Sequence, residues 1–313
     1  MTKFNSMKRM LLVALAVTLF SCNKNDDNNL DDNAVVVTYP GTPGLAYSLS
    51  GSSFDVTYSA LRSSLQSNDA ISIVAEVDHG ENASDLGLSL PNTRVIMFGN
   101  PALGTSLMQT NQLAGLDLPQ KMLVYQNSSN NVFIAYNSTD YLAARYAIET
   151  APTISQINSA LSTIAINVTG NSTFENNSES IEENEGVITF VSQNDFQTTY
   201  NNLREGISNN TNLSIIAEVD HQANAQAVNM ILNPTRLIVF SNPAAGTPLM
   251  QSSQITGIDL PQKMLVYEDE NGVVKVSYTD PEFLAERHTI IGDDELLTTI
   301  SSALLSLAAG AVN

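Results

Sequence analysis

This chain states one pattern twice. Ala75-Glu76-Val77-Asp78-His79 returns as Ala217-Glu218-Val219-Asp220-His221, Asn100-Pro101-Ala102 returns as Asn242-Pro243-Ala244, and the run from Asp117 to Tyr125 returns from Asp259 to Tyr267, always at an offset of 142. From Phe54 to Ile148 and from Phe196 to Ile290 the copies align without insertion, with 45 of 95 positions identical. A constant period without gaps requires two tandem copies of one domain, each closing its own fold.

The first residues read as an address. Lys3, Lys8 and Arg9 precede an apolar run from Met10 to Phe20, which has the length of a signal-peptide core and is too short to span a bilayer. Leu19-Phe20-Ser21-Cys22 resembles a bacterial lipobox, and Cys22 is the only cysteine. The expectation is a signal peptide over 1–21 and lipidation at Cys22; a chance cysteine after an ordinary signal peptide is the plainer alternative. An acylated Cys22 leaves no disulfide, so the fold must rest on its core. Cys22-Asn23-Lys24-Asn25-Asp26-Asp27 resembles the short Lys-plus-acidic signal that sends lipoproteins of Bacteroidota to the outer face of the outer membrane. The same residues read equally as part of an acidic, flexible tether over 22–43. The expected partner is therefore the membrane, reached through the lipid, and the expected place is the outer membrane, exposed on the cell surface.

Removing residues 1–21 leaves 10 Lys+Arg against 32 Asp+Glu, a net charge of −22. That balance excludes nucleic acid as a partner, because phosphate binding needs a basic patch. The absence of Trp also argues against a sugar-binding platform of stacked rings.

Each copy reads in the same order. Leu45 to Ser50 is a strand. Phe54, Tyr58, Leu61 and Leu65 have helical spacing behind a candidate cap at Ser53. Ile71 to Val77 and Thr93 to Phe98 are strands, with a short helical or irregular stretch from Asn82 to Leu88 between them. Thr105 to Leu113 reads as a helix capped by Thr105, or by Thr247 in copy two. Gln120 to Tyr125 and Val132 to Tyr136 form a hairpin, whose turn in copy two is Asn271-Gly272. Helices over Thr139 to Ile148 and Ile154 to Ile164 close the copy. The copies thus occupy 44–166 and 186–313, joined by a solvated connector over 167–185.

The order of Asp78-His79, Asn82-Ala83, Thr93-Arg94, Phe98-Gly99-Asn100-Pro101, Gly104-Thr105 and Asp117-Leu118-Pro119 resembles the domain of unknown function 302, over nearly all of each copy. The resemblance implies an α+β fold, two tandem β-α-β-β-β-β-α domains like halves of a TATA-binding protein. Each would have an antiparallel sheet with helices on one face, and the two copies would pack as a pseudo-dimer within one chain. It brings no established activity and no cofactor. Copy two departs from copy one at Ser241, where copy one has Gly99, and at Asn233-Pro234, where copy one has Pro91-Asn92.

The sharpest constellation is Glu76, Asp78 and His79, because two of the three histidines stand at equivalent places, His79 and His221. As metal or catalytic groups they would need a partner from elsewhere, since neighbours on a strand point to opposite faces. As structural groups, Asp78 caps the next turn and His79 makes a fixed hydrogen bond near Asn82. Arg94 and Arg236 read as forks onto a carboxylate such as Glu76, or as anion binders. The Gly99-Asn100-Pro101…Gly104-Thr105 loop reads as a weak anion cradle or as a tight turn with a capped helix. Asp117 and Lys121 read as a surface pair or as pocket polar groups. The candidate ligand-binding set is Asp78, His79, Asn82, Arg94, Asn100 and Asp117 with Asp220, His221, Asn224, Arg236, Asn242 and Asp259; the metal candidates are His79 and His221. The leading expectation is a module that binds a small ligand or cation. The alternatives are a metal- or His-dependent enzyme and a purely structural envelope protein. A binding module should show a cavity lined by both copies.

Overall fold

The structure, a computed structural model, describes residues 37–313. The leader, Cys22 and the tether up to residue 36 lie outside the described residues. Copy one runs β1 (Leu45–Ser50), α1 (Phe54–Gln66), β2 (Ser72–Asp78), α2 (His79–Asp85), β3 (Thr93–Gly99), α3 (Pro101–Thr110), a 3-10 turn (Gln112–Leu116), β4 (Gln120–Gln126), β5 (Val132–Asn137), α4 (Thr139–Tyr146), α5 (Ile154–Thr169) and β6 (Phe174–Glu175). Copy two repeats it as β7 (Val187–Val191), α6 (Phe196–Ser208), β8 (Ser214–Asp220), α7 (His221–Ala227), β9 (Thr235–Ser241), α8 (Pro243–Ser252), a 3-10 turn (Gln254–Ile258), β10 (Gln262–Glu268), β11 (Val274–Thr279), α9 (Pro281–His288) and α10 (Asp294–Val312). The sheets are ordered β2-β3-β4-β5-β1-β6 and β7-β11-β10-β9-β8, and every pairing is antiparallel. This is the expected pair of α+β domains.

The strands explain how the copies meet. An antiparallel sheet usually keeps one wet face and shows alternating polarity. Here β4 is buried along almost its whole length. Met122 and Val124 pack under the helices of copy one with Phe54, Leu61, Leu107 and Leu161. Leu123 and Tyr125 face the other way, where Ile255 and Ile258 of copy two join them. Leu265 and Tyr267 of β10 do the same against Leu116 of copy one. Each sheet therefore carries its own helices on one face and the other copy on the second, which is the pseudo-dimer within one chain.

The 3-10 turns are the clasps. Gln112 Nε2 donates to Thr235 Oγ1 at 2.7 Å and to the Glu268 carbonyl at 3.1 Å. Gln254 Nε2 donates to Thr93 Oγ1 at 2.8 Å and to the Gln126 carbonyl at 3.1 Å. Each turn packs a glycine tightly against the other copy: a Cβ on Gly115 would lie 3.2 Å from Leu265 Cδ1, and one on Gly257 would lie 3.3 Å from Leu123 Cδ1 and Thr93 Cγ2.

Several elements differ from the sequence reading. Asn100, not Thr105, caps α3: its Oδ1 accepts from Ala102 and Leu103 N–H, Pro101 takes the first helical position, and Thr105 is buried inside the helix. Asn242 does the same for α8. Ser53 sits at the N-cap of α1 without a side-chain bond, while Asp195 at the same place in copy two accepts from Thr198 N–H. Gly99 has no left-handed backbone, so Ser241 fits its place without strain. The last helices run on to Thr169 and Val312, and the matching residues in them are offset by 143, because copy two carries one extra residue before α10.

The described end of the tether, from residue 37 to residue 43, and the connector, both assigned to solvent, are built into the fold. In the tether, Pro40 and Thr42 carbonyls accept from Asn176 Nδ2 at 2.9 Å, and the Pro43 carbonyl accepts from Arg287. In the connector, β6 adds a short edge strand to β1, and Ile181 packs into the core. Both segments are polar in composition, and their backbone groups, invisible to a composition argument, do the binding. α10 is long and apolar enough to cross a membrane by length and composition. Here Leu304, Ala308, Ala311 and Val312 pack with Tyr200 and Leu203 of α6 in the core of copy two.

Candidate functional site

β2 ends at Asp78, and His79 opens α2, so the strand alternation stops just where the chemistry begins. Asp78 caps that helix, accepting from Glu81 N–H at 2.9 Å, and Asp220 accepts from Ala223 N–H at 2.8 Å. Each carboxylate also takes the arginine directly across the ladder: Arg94 Nε bonds Asp78, and Arg236 Nε bonds Asp220 at 2.7 Å. The expected Arg94–Glu76 fork does not form. Register puts Ile96, not Arg94, opposite Glu76, which instead accepts from Tyr58 Oη at 2.6 Å and Arg62 Nε at 3.0 Å. Asp78, Arg94, Asp220 and Arg236 are thus occupied with capping and pairing, outside either cavity described below.

The histidines go elsewhere. His79 and His221 are buried, and each crosses to the other copy, hydrogen-bonding the backbone of Gly257 and Gly115 respectively. Burial pushes both pKa values down to about 4, against the opposing pull of the glycine carbonyl and the adjacent aspartate. The Nε2 atoms have no partner, so the bond to the carbonyl belongs to Nδ1–H and Nε2 keeps a free lone pair. Each ring is a fixed, neutral hydrogen-bond acceptor.

Those rings line two related cavities. One, of about 380 Å³, is walled by Asn100, Thr105, Gln120 and Leu161 of copy one with His221 and Asn224 of copy two. The other, of about 110 Å³, is walled by Asn242, Thr247, Gln262 and Leu304 of copy two with His79 and Asn82 of copy one. Six of the sequence candidates therefore meet in two groups of three, each group drawn from both copies. Thr105 Oγ1, Gln120 Nε2 and Thr247 Oγ1 are, like the His Nε2 atoms, buried without partners. The anion cradle is not available: Asn100 Oδ1 already takes the N–H groups at the start of α3, at 3.0 and 3.4 Å. Among the described residues no group of three or more His, Cys, Asp or Glu is placed to hold a metal ion.

Asp117 and Asp259 lie apart from both cavities, in a buried ion cluster between the copies. Asp117 accepts from Arg145 Nη1 and Lys263 Nζ at 2.7 Å and from Tyr146 Oη at 2.8 Å. Asp259 accepts from Arg287 Nη1 at 2.7 Å, from Asn137 Nδ2 at 3.1 Å and from Lys121 Nζ at 3.5 Å, and bonds His288 Nε2 at 2.7 Å. Each lysine pairs with the aspartate of the other copy, so the Asp117–Lys121 pair expected from sequence is exchanged across the pseudo-two-fold axis. Four basic side chains face two carboxylates here, which holds both aspartates well below the usual carboxylate range despite burial. Burial and the neighbouring Lys263 bring Lys121 down to about 7, its own carboxylate being the more distant one. Arg145 and Arg287 were missed in sequence. Their signal was there: the segment from Thr139 to Ile148 diverges between copies, yet the arginine stays.

Comparison with known proteins gives the relationship. The family described as Domain of unknown function DUF302 matches residues 46–164 and again 188–307. A fluoride-specific ion channel FluC 1 of Brucella suis biovar 1 (strain 1330) is 42% identical over 78 residues, which is 25% of this chain and 31% of that protein. Its namesake in Brucella abortus biovar 1 (strain 9-941) is 42% identical over the same length, 29% of that protein. The chain thus spans about a third of the length of these curated relatives. A crystal structure of an uncharacterized conserved DUF302 protein from Bacillus stearothermophilus is 17% identical with a TM-score of 0.37, covering 41% of this chain and 98% of that one. The chain belongs to the DUF302 family and carries two copies of its domain in tandem.

Proposed function

We propose that this chain is a small-ligand binding module whose sites lie between its two copies, held at the cell envelope by a lipid on Cys22. The observation that supports the reading is the cavity of about 380 Å³ with His221 Nε2 unpartnered in its wall. Mainly apolar walls with a few fixed polar atoms are the common form of a ligand site. The enzyme reading has less support. Among the described residues no Asp, Glu or Cys lines either cavity, and the imidazole bonds a backbone carbonyl rather than an orienting carboxylate. With a pKa of about 4 it is also a weak base at neutral pH. The cation reading of the same site loses ground for the same lack of carboxylates. The Brucella relatives' name describes proteins of which this chain spans about a third, and ion conduction is not carried over to it.

The test uses residues 37–313, which form one compact unit. The neutral dye N-phenyl-1-naphthylamine is expected to bind saturably, and Ala160→Phe, which fills the wall of the larger cavity, is expected to weaken that binding at least about tenfold. Absence of saturable binding to the unsubstituted protein would refute the module. The anchor is tested separately: labelled palmitate should enter the full chain in cells and should fail to enter Cys22→Ala, and equal labelling of both would remove Cys22 as the lipid site.

A further inference from the structure

We infer, resting on the binding reading above, that the larger cavity takes an uncharged, mainly apolar molecule with a hydroxyl or amide head group, and that the residue at position 99 sets how long that molecule is. The head group follows from the unpartnered atoms in the wall. His221 Nε2 accepts, Gln120 Nε2 donates, and Thr105 Oγ1 does either. A hydroxyl or an amide meets a donor and an acceptor together; a carboxylate leaves the imidazole lone pair unmet, and an ammonium leaves the amide N–H unmet. Leaving such groups unmet in a buried wall costs about 1–3 kcal/mol each.

The charge state follows from the rest of the lining. The chain has 32 acidic and 13 basic residues, yet among the described residues no Asp, Glu, Lys or Arg lines either cavity. Burial keeps His221 neutral. A charged ligand would give up its hydration and find no counter-charge. The body of the ligand lies against Phe98, Leu118, Ile157 and Leu161, all apolar.

The size follows from the difference between the two cavities. About 380 Å³ is more than twice the roughly 150 Å³ that admits benzene in an engineered protein cavity, while about 110 Å³ falls short of it. Most wall positions correspond between the copies, while Asn68, Ala70, Ser72, Val74 and Val219 line the larger cavity alone; at the shared positions most exchanges leave copy two with an equal or smaller side chain, as at Leu103/Ala245 and Gln156/Thr299. Among the positions that line both cavities, Gly99/Ser241 is the exchange that adds atoms in copy two. A Cβ on Gly99 would meet only Pro119 Cβ, at 3.5 Å, so a serine fits there and takes up cavity space rather than displacing the fold.

The test is titration calorimetry at pH 7 on residues 37–313 with 1-octanol, octanoate and octylammonium. Octanol is expected to bind one site, with both ions at least about tenfold weaker. Gly99→Ser should weaken octanol at least about tenfold without moving the thermal midpoint, and Ser241→Gly should create a second octanol site. Equal binding of either ion overturns the neutral-ligand inference, and octanol binding indifferent to Gly99→Ser and Ser241→Gly overturns the role of position 99. If none of the three binds but the naphthylamine dye does, the ligand class is wrong while the module stands; if the dye fails as well, both fall.

Discussion

Replacing Asp117 by alanine is expected to cost about 3–5 kcal/mol of unfolding free energy, read as a large drop in the urea midpoint of residues 37–313. The reason is what remains. Asp117 holds Arg145, Lys263 and Tyr146, all buried, and its removal leaves two cations without their bonded carboxylate in a cluster already rich in positive charge. Neither cation has a ready substitute. Arg145 keeps the Glu185 and Gly186 carbonyls and the Thr279 and Tyr141 hydroxyls, which are neutral, and Lys263 keeps Lys121, a like charge, as its neighbour. Because Lys263 and Thr279 belong to copy two, the loss also loosens the pairing of the copies. Asp78→Ala is the comparison. Its Arg94 pair is partly exposed and its cap is local, so its cost should stay near about 1–2 kcal/mol. Equal midpoints for the two variants would show that the central cluster contributes no more than a surface pair.

The repeat made the domain count and the fold legible, because a gapless period and alternating strands leave little freedom. The candidate site was legible only in part. His79 with Asn82, and His221 with Asn224, stood out as repeated polar residues, but their true neighbours are Asn242 and Asn100 of the opposite copy. No spacing within one copy can reveal a partner that arrives across an interface. The same limit misplaced Asp117 and Lys121, which are four residues apart yet bond across the copies. Arg94 was misassigned for a different reason: β2 carries a bulge between Ile73 and Ala75, and cross-strand register, not proximity in sequence, chose Asp78 over Glu76. Strand parity also failed at His79, because the capped helix begins one residue after the strand ends.

Acid should weaken the fold well before the aspartates titrate, and His79 and His221 should be the cause. Their folded pKa of about 4 lies below the unfolded value of about 6.5, so between those values the unfolded chain binds more protons. Stability therefore rises with pH across that window. It is fully present above about pH 7 and declines as pH falls, reaching a loss of about 3 kcal/mol for each histidine by pH 4. Burial is the main term: each ring has a carbonyl for Nδ1–H and only one carboxylate nearby, Asp78 or Asp220, which already caps a helix and pairs an arginine. His288 is also held neutral by burial and adds to the same slope, with Asp259 opposing. Asp117 and Asp259, held well below the ordinary range, contribute their own loss only below about pH 4. Urea midpoints measured from pH 7.5 to 4.5 should thus fall steadily, and the double variant His79→Gln/His221→Gln should flatten most of that fall while lowering the midpoint at pH 7.5. A fall of equal size in the double variant would assign the acid sensitivity to other groups. Binding should respond later than stability: the folded ring keeps its Nε2 lone pair until about pH 4, so a ligand that donates to His221 should stay bound through the window in which the fold loosens and be released only near and below that pH.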